Sequence, residues 1–302
     1  MGIVENLVTN IKEPSYKIIC HKNIVRRVFE LTDGRLISCS DDDYIIIYNR
    51  YNLDEIDIKI KNYDLGVMDL IEIKEGIILA CCINLKLIEI KKKTYKIIQT
   101  LNPHKELINR IIKLSNGQIA TCSDDQKIQF YKYESNELKL YDSINTSYRI
   151  YSIFECSKYE IISYCGKIYE NYLKFYDIEN KQETLKIKVK YYVLIPIYDK
   201  FNDNFLVVGD YGRIIVINLI NHSLHQIINL EYNYYILCCL KLNDNTFFCG
   251  DNKGNIYEFT INNNSLLLKE VTRGHDDMIF YLSKYKGNKL ISCSKDHSIK
   301  IW

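Results

Sequence analysis

The feature that most limits how this chain can fold is an internal repeat with a period of a little over 40 residues. Three stretches share one pattern: LTDGRLISCSDDDYIIIY (31–48), LSNGQIATCSDDQKIQFY (114–131) and KGNKLISCSKDHSIKIW (286–302). Each has a turn, a short apolar strand, small residues, an acidic turn and an alternating strand that ends in an aromatic residue. Short alternating strands repeated at this period are typical of the blades of a β-propeller.

The spacing of three histidines supports the same period. His21, His104 and His275 each precede one of the three stretches, and they lie 83 and 171 residues apart, which is about two and four repeat units. Weaker copies of the pattern cover residues 71–90, 154–177, 200–218 and 241–259. The copies together make seven units of about 43 residues in the 302-residue chain. No linker-like segment interrupts them, so we predict one domain over residues 15–302 and leave residues 1–14 unplaced.

The seventh unit stops at Trp302, without the outer strand that follows the aromatic residue in other units. In the second unit this outer strand is TYKIIQTL (94–101), and the similar segment SYKIIC (15–20) lies just before His21. We therefore predict that the N-terminal segment supplies the fourth strand of the last blade and closes the ring, because closure removes an exposed strand edge. The predicted fold class is an all-β, seven-bladed β-propeller.

The repeats resemble the WD-repeat family over nearly the whole chain, without pointing to a subfamily. The last unit has the fullest match, with Gly274 and His275 before its first strand, Ser292 on the second, Asp296 in the turn and Trp302 closing the third. The resemblance implies a buried hydrogen-bond network in each such blade, in which every polar member needs a partner. The residues expected in this structural network are His21, Ser38, Asp42, Tyr48, His104, Thr121, Asp125, Tyr131, His275, Ser292, Asp296 and Trp302. The other four units lack the histidine.

The resemblance also implies where a partner binds. In WD-repeat proteins the starts of the first strands, and the turns before the structural acid, surround the mouth of the central channel on the partner-binding face. Four of the eight arginines, Arg26, Arg27, Arg110 and Arg149, lie at such strand starts, and Tyr169 holds a matching turn position. Arginine and aromatic residues dominate binding hot spots. The predicted partner-binding residues, called the rim residues below, are Arg26, Asp41, Asp124, Arg149, Tyr151, Tyr235, Met278, Phe280 and Lys295.

No pattern in the sequence points to catalysis or to a bound metal. His297 lies in a predicted turn beside Asp296, and His222 and His225 lie in a predicted loop between strands. The eleven cysteines include no CxxC, the acidic runs lack the spacing of a calcium loop, and neither GxxxxGK[ST] nor GxSxG occurs. We therefore expect no enzyme activity, no cofactor, no metal and no small-molecule substrate.

Charge and hydropathy narrow the class of partner. The net charge of +2 disfavours general nucleic-acid binding. The chain start lacks the basic region of a signal peptide, so we expect the cysteines to be free thiols and the protein to be cytoplasmic, with a nuclear location left open. No apolar run approaches the ~20 residues of a membrane span, so we expect no membrane contact.

The function that the sequence favours is a non-catalytic scaffold that docks partner proteins or peptides as part of a multiprotein complex. Two alternatives stay open. One is RNA or phosphopeptide binding through Arg26, Arg110 and Arg149, and the other is an enzyme with its site in the channel.

Overall fold

The computed structural model describes residues 13–61, 65–167, 170–189, 199–202, 205–231, 234–262 and 264–302. Within these ranges the regular elements are 28 β-strands, which form seven four-stranded sheets. Each sheet, called a blade here, matches one repeat unit of the sequence. In the described part of the chain, no helix has the length and apolar character required to cross a membrane.

The strands follow the chain in regular order. The first is β1 (Tyr16–Ile18). Blade one contains β2 (Val25–Glu30), β3 (Leu36–Ser40), β4 (Tyr44–Tyr48) and β5 (Ile56–Lys61). Blade two contains β6 (Asp69–Lys74), β7 (Ile77–Cys81), β8 (Leu85–Lys91) and β9 (Thr94–Leu101). Blade three contains β10 (Ile108–Lys113), β11 (Ile119–Ser123), β12 (Lys127–Glu134) and β13 (Glu137–Asn145). Blade four contains β14 (Arg149–Ser157), β15 (Glu160–Lys167), β16 (Glu170–Asp177) and β17 (Glu183–Val189).

The remaining three blades continue the same order. Blade five contains β18 (Asp199–Asn202), β19 (Phe205–Asp210), β20 (Arg213–Asn218) and β21 (Ser223–Asn229). Blade six contains β22 (Ile236–Lys241), β23 (Thr246–Asp251), β24 (Asn255–Asn262) and β25 (Ser265–Arg273). Blade seven contains β26 (Ile279–Tyr285), β27 (Lys289–Ser294) and β28 (Ile299–Ile301), together with β1.

The N-terminal strand completes the last blade. β1 pairs antiparallel with β28, so that Tyr16 lies opposite Ile301 and Ile18 opposite Ile299. The backbone N–H of Ser15 also donates to the carbonyl oxygen of Ile301, at 2.7 Å. The predictions of an all-β, seven-bladed propeller and of a last blade completed from the N-terminus are confirmed.

Burial explains which sequence segments became inner and outer strands. Every residue of β3, β7 and β11 is buried, and their sequences are continuous short apolar runs with small polar residues. Such runs are typical of strands that are covered on both faces. The outermost strands β9 and β17 have no buried residue, and in β17 exposed and half-buried positions alternate. The fourth strands are therefore more exposed than the second strands, as in TYKIIQTL.

A left-handed residue recurs in the turn between the second and third strands of five blades. L-residues reach this conformation with difficulty, and glycine reaches it without steric cost. Two blades use glycine there, and the others use short or polar side chains. The residues, with their φ angles, are Asp43 (71°), Gln126 (70°), Gly212 (68°), Gly254 (87°) and His297 (67°).

The hydrophobic core lies between neighbouring blades. The chain divides into two compact units, here called the terminal unit (Met1–Phe29 and Ile195–Trp302) and the middle unit (Glu30–Leu194). In the middle unit, one cluster joins blades two and three and another joins blades three and four. In the terminal unit, the clusters join blade five to blade six and blade six to blade seven. The single domain over residues 15–302 stays a prediction, and residues 1–12 lie outside the described part.

Candidate functional site

A connected polar network lies inside blade seven. His275 is buried, and its Nδ1–H donates to Asp296 Oδ2 at 2.9 Å. Its other nitrogen, Nε2, lies 2.7 Å from Ser292 Oγ, which also receives the indole N–H of Trp302 at 2.9 Å. Asp296 further accepts the hydroxyl of Ser298 at 2.6 Å. Because the carboxylate can only accept, the neutral imidazole must carry its proton on Nδ1, and every member of the network then has a partner.

Blade three has a network of the same kind with a different fourth member. His104 Nδ1 lies 3.0 Å from both carboxylate oxygens of Asp125, and Nε2 lies 2.8 Å from Thr121 Oγ1. The hydroxyl of Tyr131 donates to Gln129 Oε1. The amide of Gln129 in turn donates to a backbone carbonyl at 2.9 Å. The tyrosine therefore extends the network through an additional side chain.

In blade one, part of the predicted quartet is in direct contact. Ser38 Oγ and the hydroxyl of Tyr48 lie 3.0 Å apart, in the buried interior. Asp42 Oδ1 accepts the backbone N–H of Tyr44 at 3.2 Å, which fixes the turn. His21 is buried.

The electrostatics of these networks suit a structural role. Burial lowers the pKa of His104 and of His275 below the ordinary value, and the neighbouring carboxylates offset this only in part. For Asp296, burial opposes ionisation, but hydrogen bonds from His275, Ser298 and the backbone outweigh it and hold its pKa below the usual range. Both imidazoles are therefore neutral at pH 7, with one nitrogen donating and the other accepting.

Blade four, which lacks the histidine, has an ion pair between a buried lysine and an exposed glutamate. Lys174 is buried, and its Nζ lies 2.5 Å from Glu183 Oε2. In the strand register Lys174 lies opposite Ser163, as Gln129 lies opposite Thr121 in blade three. Sequence reasoning missed this pair, and the available signal was a lysine within the otherwise apolar run YLKFY.

Blade six has its own buried acid. Asp251 is fully buried and accepts the hydroxyl of Tyr257 at 2.9 Å and the side-chain amide of Asn255 at 2.7 Å. The backbone N–H of Lys253 donates to the same carboxylate at 2.7 Å. The sequence pattern predicted no role for this aspartate, which holds the turn between β23 and β24.

In the terminal unit, four rim residues form two contacting pairs, and a fifth contacts a tyrosine outside the set. The Arg26 guanidinium lies 4.7 Å from the ring centre of Phe280, in stacking distance. The backbone N–H of Lys295 donates to the carbonyl of Met278 at 2.9 Å. Tyr235 contacts Tyr211, with ring centres 4.7 Å apart. These rim residues are partly exposed, as partner contacts must be.

In the middle unit, Asp124 and Arg149 are brought together. Asp124 Oδ1 accepts the amide of Asn109 at 2.7 Å, and its Oδ2 lies 3.9 Å from an Arg149 nitrogen. The side chain of Arg149 is 64% exposed. The ring of Tyr151 lies 5.7 Å from that of Tyr164. Asp41 lies in the turn after β3 and is partly exposed.

Arg110 does not belong with the exposed arginines. Its side chain is only 12% exposed, and its Nε lies 3.6 Å from Asp69. Asp69 is buried and also accepts the backbone N–H of Ile111 at 2.9 Å. This geometry does not favour an anion site that requires Arg110. Tyr169 lies outside the described residues.

One histidine lies in a different element from the one predicted. His225 is in β21 rather than in a loop, and its Nε2–H donates to the carbonyl oxygen of Asn264 at 2.8 Å. His222 is in the preceding turn, with φ of 54°. His297 is exposed in its turn, as predicted. Over the described ranges, no three histidine, cysteine, aspartate or glutamate side chains gather closely enough to hold a metal ion.

Comparison with known families agrees with this architecture. Residues 267–302 match the WD40 family model, described as WD domain, G-beta repeat. The match spans most of β25 and all of β26, β27 and β28, which is the part of the chain with the complete histidine network. No match was found among curated proteins. The match to this one blade, together with the seven four-stranded blades, supports the WD-repeat family for this chain without indicating a subfamily.

Proposed function

We propose that this protein is a non-catalytic scaffold that docks partner proteins or peptides through the rim residues, as part of a multiprotein complex. The WD-repeat propeller commonly serves as a protein-interaction scaffold. The observation that carries the proposal is the stacked pair of Arg26 and Phe280, since arginine and aromatic side chains are the ones that dominate binding hot spots.

The second exposed arginine supports the same role. The ion pair between Arg149 and Asp124 is long, at 3.9 Å, and exposed, so it contributes little to folding. The guanidinium can therefore exchange this contact for a carboxylate of a partner at small cost. The exposed Arg149 can therefore make a polar contact with a partner, while the aromatic rim residues supply apolar contact area.

The proposal includes no chemical step. His104 and His275 are occupied in buried networks and are held neutral, so they are structural groups. We also propose that the protein works in the cytoplasm, because its eleven cysteines are free thiols and ten of them are buried.

The test is affinity capture from native lysate with the wild type and with a variant that carries Arg26→Ala, Arg149→Ala, Tyr151→Ala and Phe280→Ala. A matched control removes two cations and two aromatic residues from outer strands, by Tyr95→Ala, Lys96→Ala, Lys139→Ala and Tyr141→Ala. Partners are identified by mass spectrometry and then tested as purified proteins.

The expected result is a stoichiometric partner that binds the wild type and the control but is lost from the rim variant. Equal capture by all three proteins would show that the rim residues are not the docking site. If the purified protein converted any small molecule into a product, the non-catalytic part of the proposal would be wrong.

A further inference from the structure

A pocket of about 390 Å³ lies among three turns of blades one and two, within the middle unit. The turn before β3, the turn after β4 and the turn between β8 and β9 each contribute to it. Its wall includes Asp33, Arg35, Arg50, Tyr51, Lys92 and Lys93. Asp41 follows β3, whereas the pocket lies before it, so the pocket is at the other end of this strand from that rim residue.

A buried arginine fixes two of the three turns to each other. Arg35 is buried, and its Nε and one terminal nitrogen contact Asp33 Oδ2 at 2.8 and 2.7 Å. The other terminal nitrogen donates to the carbonyl oxygen of Lys92 at 2.5 Å. Since Lys92 and Lys93 are the two residues between β8 and β9, this bond holds the lysine turn against blade one.

The third turn is fixed by the side chain of Asn49. Its Oδ1 accepts the backbone N–H groups of Tyr51 and Asn52, at 2.9 and 3.1 Å. Its amide donates to Asp57 Oδ1, which lies in the same pocket wall, at 3.2 Å. The pocket is therefore held open by contacts that exist before any ligand binds, and such preorganisation reduces the entropy cost of binding.

The wall carries more positive than negative charge, with four cations, Arg35, Arg50, Lys92 and Lys93, against the carboxylates of Asp33 and Asp57. Asp33 is engaged by Arg35, and Asp57 by the amide of Asn49. Burial opposes ionisation of Asp33, but the hydrogen bonds and charge of Arg35 and the charge of Arg50 keep its pKa below the usual value, so it stays an anion within its pair. Lys92 and Lys93 are exposed on the turn.

The aromatic side chain of the pocket wall, Tyr51, is largely exposed to solvent. Tyr51 is 90% exposed, and the guanidinium of Arg50 lies 5.7 Å from its ring centre. Gly34, with φ of 82°, makes room for this arginine, since a Cβ at that position would lie 3.1 Å from Arg50 Nε. An aromatic ring beside a guanidinium combines two side-chain types that are common in binding hot spots.

We propose that this pocket binds one phosphorylated side chain of a partner peptide. Arg50, Lys92 and Lys93 pair with the phosphate oxygens, and Tyr51 packs against a neighbouring residue of the peptide. A single phosphate fits better than a polyanion, because the four cations of the wall exceed its two carboxylates by only two charges, about the charge of one phosphate group. Nucleic acids require a continuous basic track.

The test measures binding of a fluorescently labelled phosphoserine peptide library with degenerate flanks, by anisotropy, to the full chain. The same library without phosphate and a labelled oligouridine are compared. Two pocket variants, Arg50→Ala and Lys92→Ala/Lys93→Ala, are set against Lys96→Ala/Lys158→Ala, which removes two exposed lysines outside the pocket. Circular dichroism confirms that each variant is folded.

The expected result is binding that requires the phosphate and weakens at least about tenfold in both pocket variants but not in the lysine control. Absence of binding, equal binding of the unphosphorylated library, or equal loss in the control would overturn the proposal. Binding of oligouridine alone through these residues would replace it by a nucleic-acid site. The rim variant should keep its affinity for the phosphopeptide, so failure of the rim proposal and failure of this one are distinguishable.

Discussion

Two adjacent isoleucines at the N-terminal strand test how much this strand stabilises the last blade. Ile18, in β1, is 3% exposed, whereas Ile19, just after it, is 65% exposed. A buried isoleucine replaced by alanine costs ~2–5 kcal/mol. Because β1 is short and outermost, its surroundings can relax, so we expect Ile18→Ala to cost about 2–3 kcal/mol. Ile19→Ala should change stability by less than about 0.5 kcal/mol.

The assay has a global and a local readout. Urea denaturation should show a lower midpoint for Ile18→Ala and an unchanged one for Ile19→Ala. Native-state hydrogen exchange should show faster exchange in β28, by about thirtyfold for 2 kcal/mol, because opening of β1 exposes that strand. If Ile18→Ala behaves like Ile19→Ala in both measurements, β1 does not contribute to the stability of the blade and the reasoning fails.

Three further outcomes follow from the buried groups. Trp302→Phe should cost about 1 kcal/mol in urea denaturation, because Ser292 loses one hydrogen-bond donor, and a loss within error would refute this. Folding lowers the pKa values of His104 and His275, so below pH ~6.5 the unfolded chain binds more protons than the folded one. The free energy of unfolding should therefore fall as the pH drops from 7 toward 5. Melting temperatures measured across this range should depend less on pH in the variant His104→Gln/His275→Gln. Under native conditions a thiol reagent should label Cys20 first, as the one cysteine that is not buried, and mass spectrometry that finds another site first would contradict the buried assignments.

The blade architecture could be predicted because it leaves a periodic trace. The repeat length and the apolar second strand recur in each unit, the acidic turn recurs in most of them, and together they predicted the seven blades. In blades three and seven the histidine contacts both the hydroxyl residue and the acid of its own blade, as in His275, Ser292 and Asp296. The repeat length and the residue types can be read from the sequence without knowing which residues pair in space.

The polar groups of the other blades could not be predicted in the same way. The pair of Lys174 and Glu183 depends on the register between β16 and β17, in which Glu183 lies opposite Tyr176 and reaches Lys174 diagonally, and alternation gives the face of a residue but not its partner. A similar limit explains Arg110. Its neighbour Asn109 reaches Asp124, whereas Arg110 contacts Asp69, and the register of β10 shifts between Ile108 and Arg110, so regular alternation does not assign these side chains to faces.

The pairing of β1 with β28 has a consequence for synthesis of the chain. The hydrogen bond from Ser15 to Ile301 joins residues 286 positions apart. Since a chain emerges from the ribosome N-terminus first, β1 must wait through the production of nearly every other strand before its partner exists. During that interval its apolar side chain and strand edge are exposed to other chains, so chaperone dependence and misassembly during translation should concentrate at this one junction.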